Sequence, residues 1–244
     1  MQASSQADHQ LKIYSLSEQG VTIEFGQAIS EDLLQLITNF HQLVNQNPFP
    51  GFYTAVPAYT TLSVFFDPVK VIQSRELPGE DCFEKVSGYI LRLKATLKNT
   101  LASQGNTITI PVCYGGKFGP DIDEVASIHN LAVDEVIRLH SSAEYKVYMI
   151  GFVPGFAYMG GLNDLLATPR KATPRSAVPA GAVGIAGKQT GVYPLKTPGG
   201  WQIIGQTPVK MFDATRPQPS LLKAGDRVVF KSIDLPEFNL LAAK

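Results

Sequence analysis

Apolar and polar positions in the first hundred residues follow two alternating periods. "LKIYSL" and "VTIEF" are short β-rich runs on either side of the polar "SEQG", which predicts a hairpin. Ser30 then precedes "EDLLQLITNFHQLVN", where Leu33, Leu34, Ile37, Phe40, His41 and Val44 fall on one face of a helix. Acids in its first turn and Pro48 just past its end complete the signature. "YTAVPAYTTLSVFF" reads as two strands divided by Pro57 and closed by Asp67-Pro68. From Pro78 to Ser103, helical spacing returns with Phe83, Val86, Ile90, Leu93 and Leu97. The order β-β-α-β-β-α predicts an α+β domain over residues 1–103, a small antiparallel sheet covered by two helices. About ten residues at the N-terminus are expected to fray.

At "SQGNT", residues 103–107, the pattern changes, and a second domain is expected over 104–244. "TITIPVCY" predicts a strand, "GGKFGPD" a loop, and Asp121 or Asp123 the start of a helix through Val125 and Ile128. "AVDEVIRLH" predicts a second short helix and "YKVYMIGF" a buried strand. After Phe152 no helical period is visible to the end of the chain. Short β-rich runs, "GIA", "WQIIGQT", "VKMF" and "DRVVFKSI", alternate there with loops dense in Gly, Pro and Thr, as in a mainly-β barrel or sandwich.

Composition narrows the partners. Lys plus Arg equals Asp plus Glu at 21 each, and no run of like charge interrupts the balance. Such a chain has no field to attract nucleic acid or an anionic membrane. No stretch approaches the ~18 apolar residues of a bilayer span, and the start, "MQASSQADHQLK", lacks the features of an export signal. Two cysteines, Cys82 and Cys113, make no disulfide framework, so reduced thiols and a cytoplasmic location are expected.

"GIAGKQTG", Gly184–Gly191, nearly spells a phosphate-binding loop. Gln189 stands where the Ser or Thr of that motif belongs, and Ala182 where its first glycine belongs. Pro194 and Pro198 prevent the helix whose N-terminus would face a phosphate, so the segment reads as a loop between barrel strands. No metal-ligand spacing and no serine-hydrolase motif occurs. Of four histidines, His9 lies in the tail and His41 on the amphipathic helix. His129 and His140 sit near ends of short helices, where an imidazole either caps carbonyls or points into a cleft as acid or base. Tyr114, Phe118, Phe152, Phe156, Tyr158, Tyr193 and Trp201 are interleaved with glycines, while Arg170, Arg175, Lys188 and Gln189 add donors suited to a carboxylate, phosphate or amide. Singly these aromatics read as barrel filling. As a cluster they read as the mouth of a binding site.

Five ordered segments, "PVCYGGKFGPDIDEVA", "EVIRLHSS", "YKVYMIGFVPGFAYMGGL", "ATPRKATPRSAVPAGAVGIAGKQTGVYPLKTPGGWQIIGQTP" and "LLKAGDRVVF", together resemble the KipI-type family, also called allophanate hydrolase subunit 1. The likeness runs from about residue 108 to 231 and departs from the family pattern at Ala157, where proline is commoner, and at Lys188, where glycine is commoner. Members include the B component of the bacterial ATP-dependent 5-oxoprolinase, and a related segment occurs in urea carboxylase. The resemblance implies a cyclophilin-like barrel for the second domain. It also implies an enzyme built with a KipA-type C component and a LamB/YcsF-type A component, using ATP with Mg²⁺ to open 5-oxoproline to glutamate. On that chemistry His129, His140 and Arg175 are the expected catalytic residues, with Arg175 or Lys188 as anion partner. Tyr114, Lys188, Gln189, Tyr193 and Trp201 are the expected substrate contacts, and no metal is expected on this chain. Two other functions fit the resemblance: inhibition of a sensor histidine kinase, which needs only an interaction surface, and an allophanate or urea reaction, for which no biotin-carrier or amidase signature is present.

Overall fold

The structure, a computed structural model, describes residues 11–97 and 105–243. The expected frayed N-terminus and the last residues expected in the second helix lie outside the described residues. Two compact units divide the chain, Met1–Ser103 and Gln104–Lys244.

The first unit contains β1 (Lys12–Ser17), β2 (Gly20–Glu24), α1 (Glu31–Gln46), β3 (Phe52–Pro57), β4 (Thr61–Phe66), α2 (Pro68–Gln73) and α3 (Cys82–Ala95). The strands form an antiparallel sheet in the order β1-β2-β4-β3. α1 begins where Ser30 accepts a hydrogen bond from the Leu33 N–H at 3.2 Å, and it buries Leu33, Leu34, Ile37, Phe40 and Val44. His41 on the same helix bonds the Ala55 carbonyl through Nε2 at 3.1 Å, and burial lowers its pKa, so it is a packing residue. Asp67 does more than close β4. With Pro68 in the first turn, its carboxylate accepts from the Val69 and Lys70 N–H groups and starts the unforeseen one-turn helix α2. α3 starts later than Pro78 because Lys85, itself buried, donates to the Ser74 and Leu77 carbonyls and fixes residues 74–79 as a loop. Asp81 then caps the helix through the Glu84 N–H at 2.8 Å.

The second unit is mixed α/β around a closed barrel of seven strands. Its elements are β5 (Thr107–Tyr114), α4 (Ile122–Ile128), α5 (Val133–Ser141), β6 (Glu144–Ile150), β7 (Ala157–Gly160), β8 (Arg175–Val178), β9 (Ala182–Ala186), β10 (Gln189–Val192), β11 (Thr197–Gly199), β12 (Gln202–Gln206), β13 (Arg227–Ser232) and α6 (Leu235–Ala242). Around the barrel the order is β10-β7-β6-β13-β5-β12-β9, with β13 and β5 parallel and the other pairs antiparallel. Ile110, Val112, Tyr145, Val183, Ile185 and Phe230 fill its core, joined by Ile122 and Val125 of α4 and Val136 of α5. β8 and β11 pair separately as a two-stranded ribbon.

Two expectations for this half are corrected. The stretch after Phe152 does contain helix, a 3₁₀ turn at Asp164–Leu166 and α6. α6 is set by Asp234, which accepts from the Glu237 N–H at 2.8 Å, and by Pro236 in its first turn. It buries none of its residues and shows no apolar face to betray a period. "VKMF" is no strand; its Phe212 makes a single isolated bridge to Ser220.

"GIAGKQTG" is the β9–β10 hairpin. Ala186 and Gln189 are paired, leaving Gly187-Lys188 as a two-residue turn with Gly187 at φ 56°. Glycine at the first central position in the left-handed region suits a tight hairpin, and the turn forms no phosphate cradle. Among the described residues, no helix is long and apolar enough to cross a membrane.

Candidate functional site

After β5 the chain runs through Gly115 and Gly116, both at positive φ, and turns so tightly that the Gly119 N–H bonds the Gly115 carbonyl at 2.9 Å. Gly119 passes against the Ile204 carbonyl, where a Cβ would collide. This close approach delivers Asp121 to β12. The Asp121 N–H donates to the Ile203 carbonyl at 2.9 Å, and the Ile203 N–H donates back to Oδ2 at 2.6 Å.

Asp121 stands at the N-cap of α4 but makes no capping bond. Its Oδ1 instead accepts from Arg175 Nη2 at 2.5 Å and from Lys171 Nζ at 3.1 Å. Lys171 also donates to Glu124 at 2.7 Å and to Gln202 Oε1 at 3.3 Å, and the Gln202 amide donates to the Pro169 carbonyl. Burial pushes the Asp121 carboxyl up, but the Arg175 and Ile203 donors and Lys171 outweigh it and hold the group below its usual pKa. Glu124 and then Asp121 raise the Lys171 ammonium against the effect of burial. One donor in this network is unused. Arg175 Nη1 is buried without a hydrogen-bond partner, and so is Thr197 Oγ1 on the same β8–β11 ribbon. A guanidinium fixed on one edge by Asp121, with a nitrogen left over, suits a carboxylate or an amide carbonyl as acceptor.

Beside the ribbon, Phe156, Tyr193 and Trp201 are 1, 1 and 5% exposed, with ring centroids 5.3 Å (Phe156–Tyr193) and 5.4 Å (Phe156–Trp201) apart. Burial raises the Tyr193 phenol, opposed by the Trp201 backbone N–H that donates to it and by Arg170 and Arg175. Its hydroxyl lies against Gly199, opposite Arg175 in the ribbon. Tyr193 and Trp201, expected as substrate contacts in an open mouth, are thus packed into an aromatic core. Phe152 and the half-exposed Tyr158 are what this cluster shows to solvent.

His140 is fully enclosed. The Thr190 hydroxyl donates to the Gly184 carbonyl at 3.0 Å, so its oxygen accepts from His140 Nε2–H at 2.8 Å. Nδ1 then accepts from the Tyr114 hydroxyl at 2.8 Å. Phe230 stacks on the ring at 4.7 Å, and burial drops the imidazole pKa to about 3. With both nitrogens committed and no solvent contact, this neutral histidine and its partner Tyr114 wire the barrel interior together.

His129 caps α4 and is half-buried. Its Nε2 lies 3.0 Å from the Thr168 hydroxyl, which itself donates to the Leu166 carbonyl, so His129 is the donor. The Thr168 carbonyl in turn accepts from the Gly187 N–H at the β9–β10 turn. Lys188 on that turn is 74% exposed and paired with the equally exposed Asp164 at 2.8 Å, a contact worth little in water. Gln189 follows, half-buried. The expected residues therefore fall into three groups: Arg175, Tyr193 and Trp201 at the ribbon, His129, Lys188 and Gln189 at the hairpin, and Tyr114 with His140 inside the barrel. Asp121 and Lys171 were not expected. Asp121 reads in sequence as an ordinary cap, and Lys171 as one more cation in "TPRKATPR".

Over residues 11–222 the chain matches the family described as carboxyltransferase domain, subdomain C and D. The chain belongs to that family. Within it, the chain is 42% identical to the B subunit of 5-oxoprolinase from Bacillus subtilis (strain 168) over 228 residues, covering 93% of this chain and 95% of that protein. It is 41% identical to the protein of the same name from Escherichia coli O157:H7 over 181 residues, 74% of this chain and 78% of the relative. The solved structure of TTHA0988 superposes with a TM-score of 0.75 at 36% identity, covering 88% of this chain. The match spans 40% of TTHA0988, so this carboxyltransferase-family chain corresponds to less than half of that longer one.

Proposed function

We propose that this chain is the B subunit of a cytoplasmic, ATP-dependent 5-oxoprolinase, working with KipA-type and LamB/YcsF-type partners to convert 5-oxo-L-proline to L-glutamate. The observation that carries this reading is the 42% identity, across nearly the whole of both chains, to the Bacillus subtilis protein of that name. The seven-strand barrel is the part we assign as cyclophilin-like. A five-membered lactam is a stable amide, and phosphorylating its carbonyl oxygen with ATP makes a carbon that water can attack. ATP is a substrate in this scheme, and the Gly187-Lys188 turn is not shaped to cradle it.

This chain contributes the anion side of the site. Arg175 offers Nη1 to the substrate carboxylate while Asp121 holds the other edge of the guanidinium. Lys171, about a quarter exposed, adds positive charge beside it. His129 stands at the other end of α4, eight positions and about 12 Å along the helix from Asp121. We therefore give it the positioning of Thr168 and the hairpin, not proton transfer. Reconstitution with both partner chains tests the assignment. Arg175→Ala is expected to raise KM for 5-oxoproline tenfold or more, the size of a charge-assisted hydrogen bond of about 1.5–3 kcal/mol, while Lys188→Ala leaves it unchanged. An unchanged KM in Arg175→Ala removes the carboxylate contact.

A further inference from the structure

The β8–β11 ribbon is bulged. Thr197 pairs with Val178 and Gly199 with Arg175, so two residues of β8, Ser176 and Ala177, stand against one of β11, Pro198. All three are exposed, whereas Val178 is buried and Arg175, Thr197 and Gly199 are half-buried. An extra residue in one strand shifts its side-chain alternation by one position. Here the shift puts Arg175 on the same face as Val178, Thr197 and Gly199. In a regular strand Arg175, three positions from Val178, would point to the opposite face. The shared face is turned inward. Val178 packs with Phe156, Tyr193 and Trp201, and a Cβ on Gly199 would meet the Tyr193 hydroxyl.

Two polar atoms of this face are buried without a hydrogen-bond partner, Arg175 Nη1 and Thr197 Oγ1. Their residues are diagonal neighbours across the ribbon, about 7–8 Å apart at the backbone. Gly199, which faces Arg175 and flanks Thr197, has no side chain to separate them. Buried polar groups are rarely left unpaired, and two on one face call for a ligand that satisfies both. Their chemistry differs. Nη1 only donates, whereas a threonine hydroxyl also accepts. Neighbouring acceptors are taken, the Asp121 oxygens by Arg175, Lys171 and the Ile203 N–H, and Gln202 Oε1 by Lys171. Thr197 Oγ1 is therefore an acceptor without a donor, beside a guanidinium N–H without an acceptor.

We propose that Thr197 selects the lactam: its Oγ1 accepts a hydrogen bond from the ring N–H of 5-oxoproline while the carboxylate on the adjacent carbon lies on Arg175 Nη1. The proposal rests on the reading of this chain as the anion side of a 5-oxoprolinase site, and it adds the group that tells a lactam from other cyclic carboxylates. In 5-oxoproline the carboxylate and the N–H are attached to one carbon. An acceptor and a donor thus leave that carbon side by side and match a donor and an acceptor on one face of the ribbon. The lactam carbonyl oxygen, where phosphorylation is to occur, stays unengaged by this pair. A site built to bond an N–H rejects an analogue that lacks it, because the site's own acceptor is then left unpaired.

The test uses the complex reconstituted with the KipA-type and LamB/YcsF-type chains. It compares 5-oxoproline as substrate with its carbocyclic analogue, in which CH₂ replaces the ring N–H, as competitive inhibitor. Thr197→Val keeps the side-chain shape and removes the hydroxyl. It is expected to raise KM for 5-oxoproline about tenfold, with the inhibition constant of the carbocycle and the KM for ATP unchanged. Thr197→Ser is expected to keep the wild-type KM. The thermal midpoint of Thr197→Val should be unchanged or higher, because the hydroxyl it removes has no partner within the chain. A wild-type KM in Thr197→Val overturns the proposal. So does a midpoint lowered by several degrees, which would give the hydroxyl a role in its own fold. An inhibition constant that rises in step with KM also overturns it, making the hydroxyl a donor to the carboxylate, and a raised KM for ATP assigns it to phosphate. In each of these outcomes the wild-type complex still opens 5-oxoproline and the 5-oxoprolinase reading stands. If the wild-type complex turns over no 5-oxoproline, that reading falls and takes the proposal with it.

Discussion

Asp121 receives three donors on two oxygens, from Arg175, Lys171 and the Ile203 N–H, while 3% exposed. Removing its charge leaves a guanidinium and an ammonium without their shared counter-ion. Breaking a buried pair on one side costs about 3–5 kcal/mol, so Asp121→Asn is expected to lower the urea midpoint strongly and to weaken 5-oxoproline binding together with Arg175→Ala. His140 gives a separate signature in pH. Its imidazole ionises at about 3 in the folded chain and near its ordinary 6.5 once unfolded. Between those values the unfolded state binds the extra proton, so stability is intact above pH 6.5 and declines as pH falls toward 3. Asp121, also depressed, loses its stabilisation only below its ordinary 3.8, in a lower window. Unfolding of His140→Gln followed from pH 7 to 4 should show a flatter slope than wild type, and an equal slope would contradict the buried neutral imidazole. Sequence offered Asp121 or Asp123 as the start of this helix but could not show the Asp121 carboxylate turned away from its own helix, because the acceptor's partners lie 50 and 54 residues downstream.

At the scale of elements, legibility followed the period. α1 carries five buried apolar residues on one face and a Ser30 cap, so its limits were readable to within a residue. α6 buries nothing and α2 is a single turn on Asp67-Pro68, so neither leaves a 3.6-residue trace. β7, β8 and β11, at four, four and three residues, are too short for alternation to register. Glycines divide along the same line between turn chemistry and close packing. Gly187 has open space around its Cβ position but a φ of 56°, whereas the Gly119 Cβ position meets the Ile204 backbone. Gly187→Ala should therefore cost only the left-handed conformation, about 1–2 kcal/mol. Gly119→Ala must shift backbone at the barrel seam that positions Asp121, and its thermal midpoint is expected to fall further and Arg175-dependent binding with it. A smaller loss in Gly119→Ala than in Gly187→Ala would contradict this packing.

For the whole molecule, the family and a barrel in the second half were legible because five ordered motifs lie in residues 108–231, although that half was expected to be mainly β and is mixed α/β. The grouping of chemistry was not. Aromatic, cationic and amide residues that read as one mouth are divided in space among the barrel interior, a hairpin turn and the β8–β11 ribbon, a separation that no linear spacing encodes. What remains at the ribbon is a cation site stabilised by Asp121 with one nitrogen uncommitted, a half-site that agrees with a chain acting as one component of an enzyme. The most direct measurement is 5-oxoproline-dependent ADP and glutamate formation by this chain combined with its KipA-type and LamB/YcsF-type partners, each chain omitted in turn and Arg175→Ala run alongside. Turnover is expected only with all three chains, with a KM raised at least tenfold in Arg175→Ala. An assembled complex that releases no glutamate, or that works equally well without this chain, would contradict it.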